Sequence, residues 1–408
     1  GYYTLRLHAE ERHISCPVLN QRGEVIGIVQ PSVGNEAGTS YAVSARYATD
    51  LKVTGLSMND PALKQTSMTV ALPDDLQEAT LALFLSSSSM SQDRYASVLE
   101  RFIKKFPNES DGYIYRARLH RVNGQFSSAE EDMQKALKVG RQQDDVHYQY
   151  ADLIYQKEVY QSDQPFAPWT LDKALSESQE AYRLKPMSIY LSQQAEIYYA
   201  QKKYEEAYRL YEQLTKSDLR SADIFFAASQ CKGQLGETDQ QLALLDSAVN
   251  QFTRPYTKEA APFLLSRAQL LSAIGKYRPA VSDFNDVETL SGSSLGPQFY
   301  YSRAITEIGG HIYQQALNDL NKAIELAPKE PMYQAEKASL EIRVGQHQQA
   351  IETATRLVRM SPELSDGYLF LGLAQCLSGK KTEGAQNLNK AKELGHDQAQ
   401  SLIEKYAK

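Results

Sequence analysis

The sequence has only three cysteines and one tryptophan in 408 residues, and neither charge dominates: 44 Lys and Arg stand against 50 Asp and Glu, a formal net charge of −6. Cys16, Cys231 and Cys376 lie far apart and are odd in number, which argues against a disulfide framework. No CxxC or His-Cys pair offers a start for a zinc site, so neither metal nor cofactor is expected. Cys231 and Cys376 are expected as buried small hydrophobes. Acids and bases are interspersed, with no basic stripe and no polybasic patch, which excludes nucleic acid and a membrane surface as expected partners. No apolar run approaches the roughly 18 residues of a membrane-spanning helix, and the longest candidate, TLALFLSSSSM, breaks at its serines. The chain begins at Gly1 without Met, the trace that a removed signal peptide or a cleaved tag would leave, so an extracytoplasmic, periplasmic setting is expected over a cytoplasmic one.

A chain of this length exceeds one compact core, so several domains or an elongated repeat array is expected. Small residues recur in triples with internal gaps of 12 and 7, as in Ala117, Ala129, Ala136 and in Ala304, Ala316, Ala323. From Ala117 the first members run through Ala151, Ala195, Ser229, Ala268, Ala304, Ala338 and Gly372, in steps of 34, 44, 34, 39, 36, 34 and 34 residues. Each unit places a turn between its halves, as in VNGQFSSA, QKKYEEA and RVGQHQQA, which predicts helix, tight turn, helix. A small residue on each side of the turn lets two antiparallel helices approach closely, so these positions are packing rather than chemistry.

These residues resemble the tetratricopeptide repeat family, with small residues at positions 8, 20 and 27 of a 34-residue unit and Pro107, Pro186, Pro328 and Pro362 at position 32. An earlier unit with Leu83, Tyr95 and Phe102 in the small positions keeps the spacing but not the sizes and is read as a degenerate first repeat. The resemblance implies a mainly α fold, an α-α superhelix or solenoid of about eight to nine helix pairs over 74–408, preceded by a linker at 59–73. It also implies that positions 5, 9 and 12 of each unit line a concave groove that binds a protein or peptide partner. The expected peptide-binding residues are Arg118, Arg121, Tyr148, Tyr155, Tyr199, Phe226 and Tyr301. No unit carries the Lys at 5 and Asn at 9 of the family's carboxylate clamp, although Arg118 and Arg121, one helical turn apart, offer charge for a single acidic group. The insertion QKEVYQSDQPFAPWTL (156–171) is expected as a stiff loop whose Trp169 either plugs neighbouring helices or forms a flap at a partner site.

The head of the chain differs in kind. CPVLNQRGEVIGIVQ predicts two strands around a Gly-containing turn. With TSYAVSARYATDL it resembles the last part of trypsin-like serine peptidases, a small N-terminal β-region over 1–58. In that resemblance the nucleophile position falls on Ile14, and the glycines that aim backbone N–H groups at an oxyanion fall on Ser15 and Cys16. A one-residue deletion would place Ser15 at the nucleophile, still without the glycines, and neither His8 nor His13 stands where the general base is required. The chain is therefore expected to be a non-enzymatic scaffold with a pseudoprotease remnant and no catalytic residue. The alternative is a serine peptidase whose catalytic half lies upstream of Gly1 and whose repeats present substrates. The identity of the partner and the oligomeric state are not legible.

Overall fold

The computed structural model describes residues 2–6, 13–30, 39–46 and 71–407. His8, the stretch after Arg46 that the peptidase resemblance leads into a helix, and the linker around Pro61 lie outside the described residues. The chain divides into two compact units, Gly1–Pro186 and Met187–Lys408.

Among the described residues, the first unit opens with four antiparallel strands, β1 (Tyr2–Leu5), β2 (Pro17–Leu19), β3 (Val25–Gln30) and β4 (Ser40–Ser44), in the spatial order β1-β4-β3-β2. The β2–β3 hairpin is the one the sequence predicts. Its turn is built by Asn20, whose Oδ1 accepts from the Arg22 and Glu24 N–H groups at 2.9 and 3.0 Å while Gly23 takes the left-handed conformation, φ +78°. Alternation places Val29 and Ala42 on the buried side of neighbouring strands.

Among the described residues of the same unit six helices follow: α1 (Leu76–Ser89), α2 (Gln92–Lys105), α3 (Ser110–Val122), α4 (Phe126–Val139), α5 (Gln143–Tyr160) and α6 (Leu171–Leu184). The second unit holds α7 (Ser188–Ala200), α8 (Tyr204–Leu214), α9 (Ala222–Gln234), α10 (Thr238–Val249), α11 (Ala261–Ala273), α12 (Tyr277–Ser291), α13 (Pro297–Gly309), α14 (Tyr313–Leu326), α15 (Pro331–Arg343), α16 (His347–Met360), α17 (Ser365–Leu377), α18 (Lys381–Glu393) and α19 (Ala399–Tyr406). Consecutive helices pack as pairs, α3 with α4 and so on to α17 with α18. The architecture is the mainly α, paired-helix solenoid that the repeat reading implies. Leu402, Ile403 and Tyr406 of α19 pack against the apolar face of the α17–α18 pair.

The spacing of small residues is the register of this packing. Ala117, Ala129 and Ala136 have no exposed surface, nor do Ala195 and Ala207, Ala268 and Ala280, Ala304, Ala316 and Ala323, or Ala338 and Ala350. At two positions where the sequence departs from small, a glycine on a facing helix makes the room. Phe102 occupies a small slot because Gly112 lies against it: a Cβ at Gly112 would stand 2.8 Å from the Phe102 ring. Gln241 is accommodated in the same way by Gly233 on α9.

A second device recurs. Arg116 forks onto Asp132 (2.8 and 2.7 Å), Arg267 onto Asp283 (2.7 and 2.8 Å) and Arg303 onto Asp319 (2.6 and 2.8 Å). Each links the first helix of a pair to the second, and each Arg also reaches a carboxylate on the preceding pair, Glu100, Asp246 or Glu288. These bidentate, charge-assisted bonds fix both the pair and its stacking on its neighbour.

Candidate functional site

The expected partner-binding residues lie on the first helices of their pairs and fall into two kinds. Arg118 and Arg121 of α3 are held from within the protein. Arg118 donates to Gln149 of α5 and lies over the Tyr115 ring, 5.6 Å from its centroid. Arg121 donates to Gln161 Oε1 at 2.7 Å, and the Gln161 amide returns a bond to the Arg121 carbonyl at 3.3 Å. Burial lowers the Arg121 pKa, and Arg121 Nε has no hydrogen-bond partner among the described residues. Arg121 thus pins the insertion loop after α5.

The aromatic residues are half-buried. Tyr148 and Tyr155 lie on α5. In the second unit, Tyr199 meets Tyr204 edge-on at 5.2 Å, Phe226 meets Phe263 edge-on at 5.7 Å, and Tyr301 lies 5.1 Å from Tyr333. Burial pushes the Tyr199 and Tyr301 phenols up. Each of these residues keeps part of its surface exposed, which leaves aromatic area available for contact.

The expectation that every position 5, 9 and 12 faces outward needs correcting. Ile114, Leu369, Cys376 and Ile308 are buried, because in their units these positions turn into the stack, and together they offer a partner no surface. Cys231 is buried too, as expected, and burial pushes its thiol up to about 12.

Among the described residues, pockets lie against several first helices, in one case with the second helix α2 contributing. One of about 270 Å³ is formed by α1, α2 and α3, with Met90, Tyr95, Tyr115, Arg118, Leu119 and Val122 in its wall. A second of about 640 Å³, at the starts of α9 and α11, is floored by Phe226, Phe252 and Phe263 and edged by Asp223 and Glu259. The third, about 300 Å³, lies between α15 and α17 and includes Met332, Glu336 and Phe370. Tyr301 is not in its wall and packs instead on Tyr333, the neighbour in sequence of the wall residue Met332. Sequence reasoning missed the pockets because their walls come from consecutive pairs.

The insertion loop resolves in favour of the plug. Trp169 is 2% exposed, packs edge-on against Phe166 at 5.3 Å and lies 5.9 Å from Phe126. In the β-region the backbone donors where an oxyanion hole would be needed are engaged. Ser15 N–H donates to the Val29 carbonyl at 2.9 Å and Cys16 N–H to the His13 carbonyl at 3.1 Å. Among the described residues no group of three or more His, Cys, Asp or Glu is arranged to hold a metal ion, and no helix is long and apolar enough to cross a membrane.

No protein-family model matches the chain. Over 82 residues, 20% of the chain and 23% of the relative, it is 33% identical to small glutamine-rich tetratricopeptide repeat-containing protein 2 of Mycosarcoma maydis. Over 97 residues, 24% of the chain and 26% of the relative, it is 28% identical to the TPR repeat-containing thioredoxin TDX of Arabidopsis thaliana. The chain spans about a quarter of the length of these curated relatives. Among solved structures it is similar to the C-terminal part of a TPR repeat-containing protein from Cytophaga hutchinsonii, at 13% identity and a TM-score of 0.49, over 63% of this chain and 99% of that one.

Proposed function

We propose that the chain is a protein-interaction scaffold that binds a peptide or protein segment on the outward faces of its first helices, and that it performs no catalysis. The observation that carries this reading is the coincidence of pockets with half-buried residues picked from repeat position alone: Arg118 in one pocket and Phe226 in a second. A rigid ring with part of its surface open supplies contact area at low entropic cost, which is what a binding surface requires. In the first unit the contacts are assigned to Arg118, Tyr148 and Tyr155, with Arg121 holding the loop beside them. In the second unit they are assigned to Tyr199, Phe226 and Tyr301.

The β-region enters this reading as a non-catalytic remnant of a trypsin-like domain, on the strength of the residues Pro17–Asn20 and Gly23–Ile28 and of the hairpin they form. Engagement of the Ser15 and Cys16 N–H groups supports its lack of activity. Calorimetry on a partner isolated with the intact chain tests the proposal. Tyr155→Ala combined with Tyr199→Ala is expected to weaken binding by about 2 kcal/mol while the fold is retained, because interface energy concentrates in a few aromatic anchors. Undiminished binding by this double variant would move the site elsewhere.

A further inference from the structure

The pocket between α15 and α17 combines an apolar wall with charge of one sign. Met332, Leu364 and Phe370 supply apolar surface, Glu336 and Asp366 supply two carboxylates, and among the described residues no Lys, Arg or His lines it. The pocket at the starts of α9 and α11 differs, because Arg220 stands there beside the two carboxylates. Glu336 is half-buried, and its carboxylate makes no hydrogen bond or ion pair among the described residues. Burial pushes its pKa up, so the charged form lacks solvation that a cation in the pocket would replace. Arg343, two turns further along α15, acts on it through space only. Asp366 gives Oδ1 to His396 Nε2 at 3.1 Å, which leaves Oδ2 for a second donor. Glu330 and Glu363, next in sequence to the wall residues Pro331 and Leu364, are exposed and add negative charge, which Lys329 offsets in part.

We infer that this pocket receives a lysine or arginine side chain of a partner segment, its aliphatic stem against Met332, Leu364 and Phe370 and its charged head on the Glu336 and Asp366 carboxylates. Charge complementarity selects this occupant. Lysine and arginine lay an apolar stem along apolar surface and hold the cation at its polar edge, which is the arrangement of this wall. A cation beside the Phe370 ring gains further attraction from the ring's face. An acidic side chain would meet two like charges, and an apolar one would take water from Glu336 without offering a hydrogen bond in return. The volume, about 300 Å³, suits one long side chain rather than a length of peptide. The inference rests on the partner-binding reading above and extends it to residues which that reading does not assign.

The test is calorimetry on the full chain at neutral pH with four probes: end-blocked pentapeptides carrying arginine, lysine or citrulline at the centre and alanine elsewhere, and N-acetyl-arginine amide. The arginine and lysine peptides are expected to bind, and the citrulline peptide, of nearly the same shape but uncharged, to bind at least about tenfold more weakly, the loss expected when hydrogen bonds between charged groups are removed. Glu336→Gln, which keeps the shape and removes the charge, is expected to retain the fold by its melting curve and to weaken the arginine peptide several-fold. The inference is overturned if the arginine and citrulline peptides bind equally, if no peptide binds at millimolar concentration, or if folded Glu336→Gln binds the arginine peptide as tightly as the parent chain. It is also overturned if acetyl-arginine amide binds as tightly as the arginine peptide, which would assign the pocket to a free base. Tyr155 and Tyr199 lie outside this pocket's wall, so the double variant reads the partner-binding proposal separately: a captured partner weakened by that variant, with no binding of the basic peptides, would overturn this inference alone.

Discussion

The indole N–H of Trp169 donates to Glu130 Oε2 at 2.6 Å, and the Tyr150 hydroxyl donates to the same oxygen. One carboxylate on α4 thereby fastens both the insertion loop and the core of α5. Removing it leaves two buried donors unmet, each costing about 1–3 kcal/mol. Glu130→Ala is therefore expected to destabilise the chain by about 3 kcal/mol, whereas Glu131→Ala, at an exposed neighbouring position, should stay within about 0.5 kcal/mol of the parent. Urea melts followed by fluorescence check this, since Trp169 is the sole tryptophan and reports its own burial.

The Arg–Asp forks differ in depth, and their mutational costs should follow. The Arg303 side chain is 8% exposed, and that of Arg116 is 17% exposed. Asp319→Ala leaves the deeper guanidinium with only Glu288 and Asn285, both on Nη1, and a cost of about 3 kcal/mol is expected for stripping a buried charge of its bidentate partner. Asp132→Ala should cost less, because Arg116 can draw on water. Equal costs in chemical denaturation would show that burial does not set the strength of these forks.

Glu307 on α13 gives a pH dependence. It is 2% exposed, its Oε2 has no hydrogen-bond partner among the described residues, and burial, reinforced by the negative charge of Asp319, pushes its pKa up to about 8. The fold therefore favours the protonated form. That contribution is complete below the ordinary carboxyl value of about 4.5 and is lost as pH rises through about 8. Glu307→Gln, which keeps the neutral shape, should match the parent near pH 4 and exceed it by on the order of 1 kcal/mol or more at pH 8. Melting temperatures of both proteins across this range check the sign, and a difference that does not grow with pH would contradict it.

Ala316 has no exposed surface and lies in the small slot of the α13–α14 pair. Ala316→Leu should overpack the pair and cost about 1–3 kcal/mol. An unchanged melting temperature would show that the small residues do not set the helix separation.

The repeat register was legible because it is written locally: two small residues across a tight turn dictate how near their helices come. The hairpin was legible because Asn20 and Gly23 are turn residues for physical reasons. The Arg–Asp forks carried a signal that was not read, an Arg immediately before the first small residue and an Asp three after the second, since charges on amphipathic helices read by default as solvated. The Trp169–Glu130 contact spans 39 residues and leaves no local pattern. The pockets were hidden for a related reason. Tyr95 reads as a misfit in a small slot, and only the packing of α1 and α3 around it shows that the misfit leaves a hole.

The central claim, that first-helix faces receive a partner segment, is tested most directly by hydrogen exchange of the full chain with and without a partner captured by it. The account predicts added protection concentrated in first helices, at α3 and α5 in the first unit and at α7, α9 and α13 in the second, with second helices such as α4 and α14 unchanged. Protection confined to second helices or to the β-sheet would contradict it.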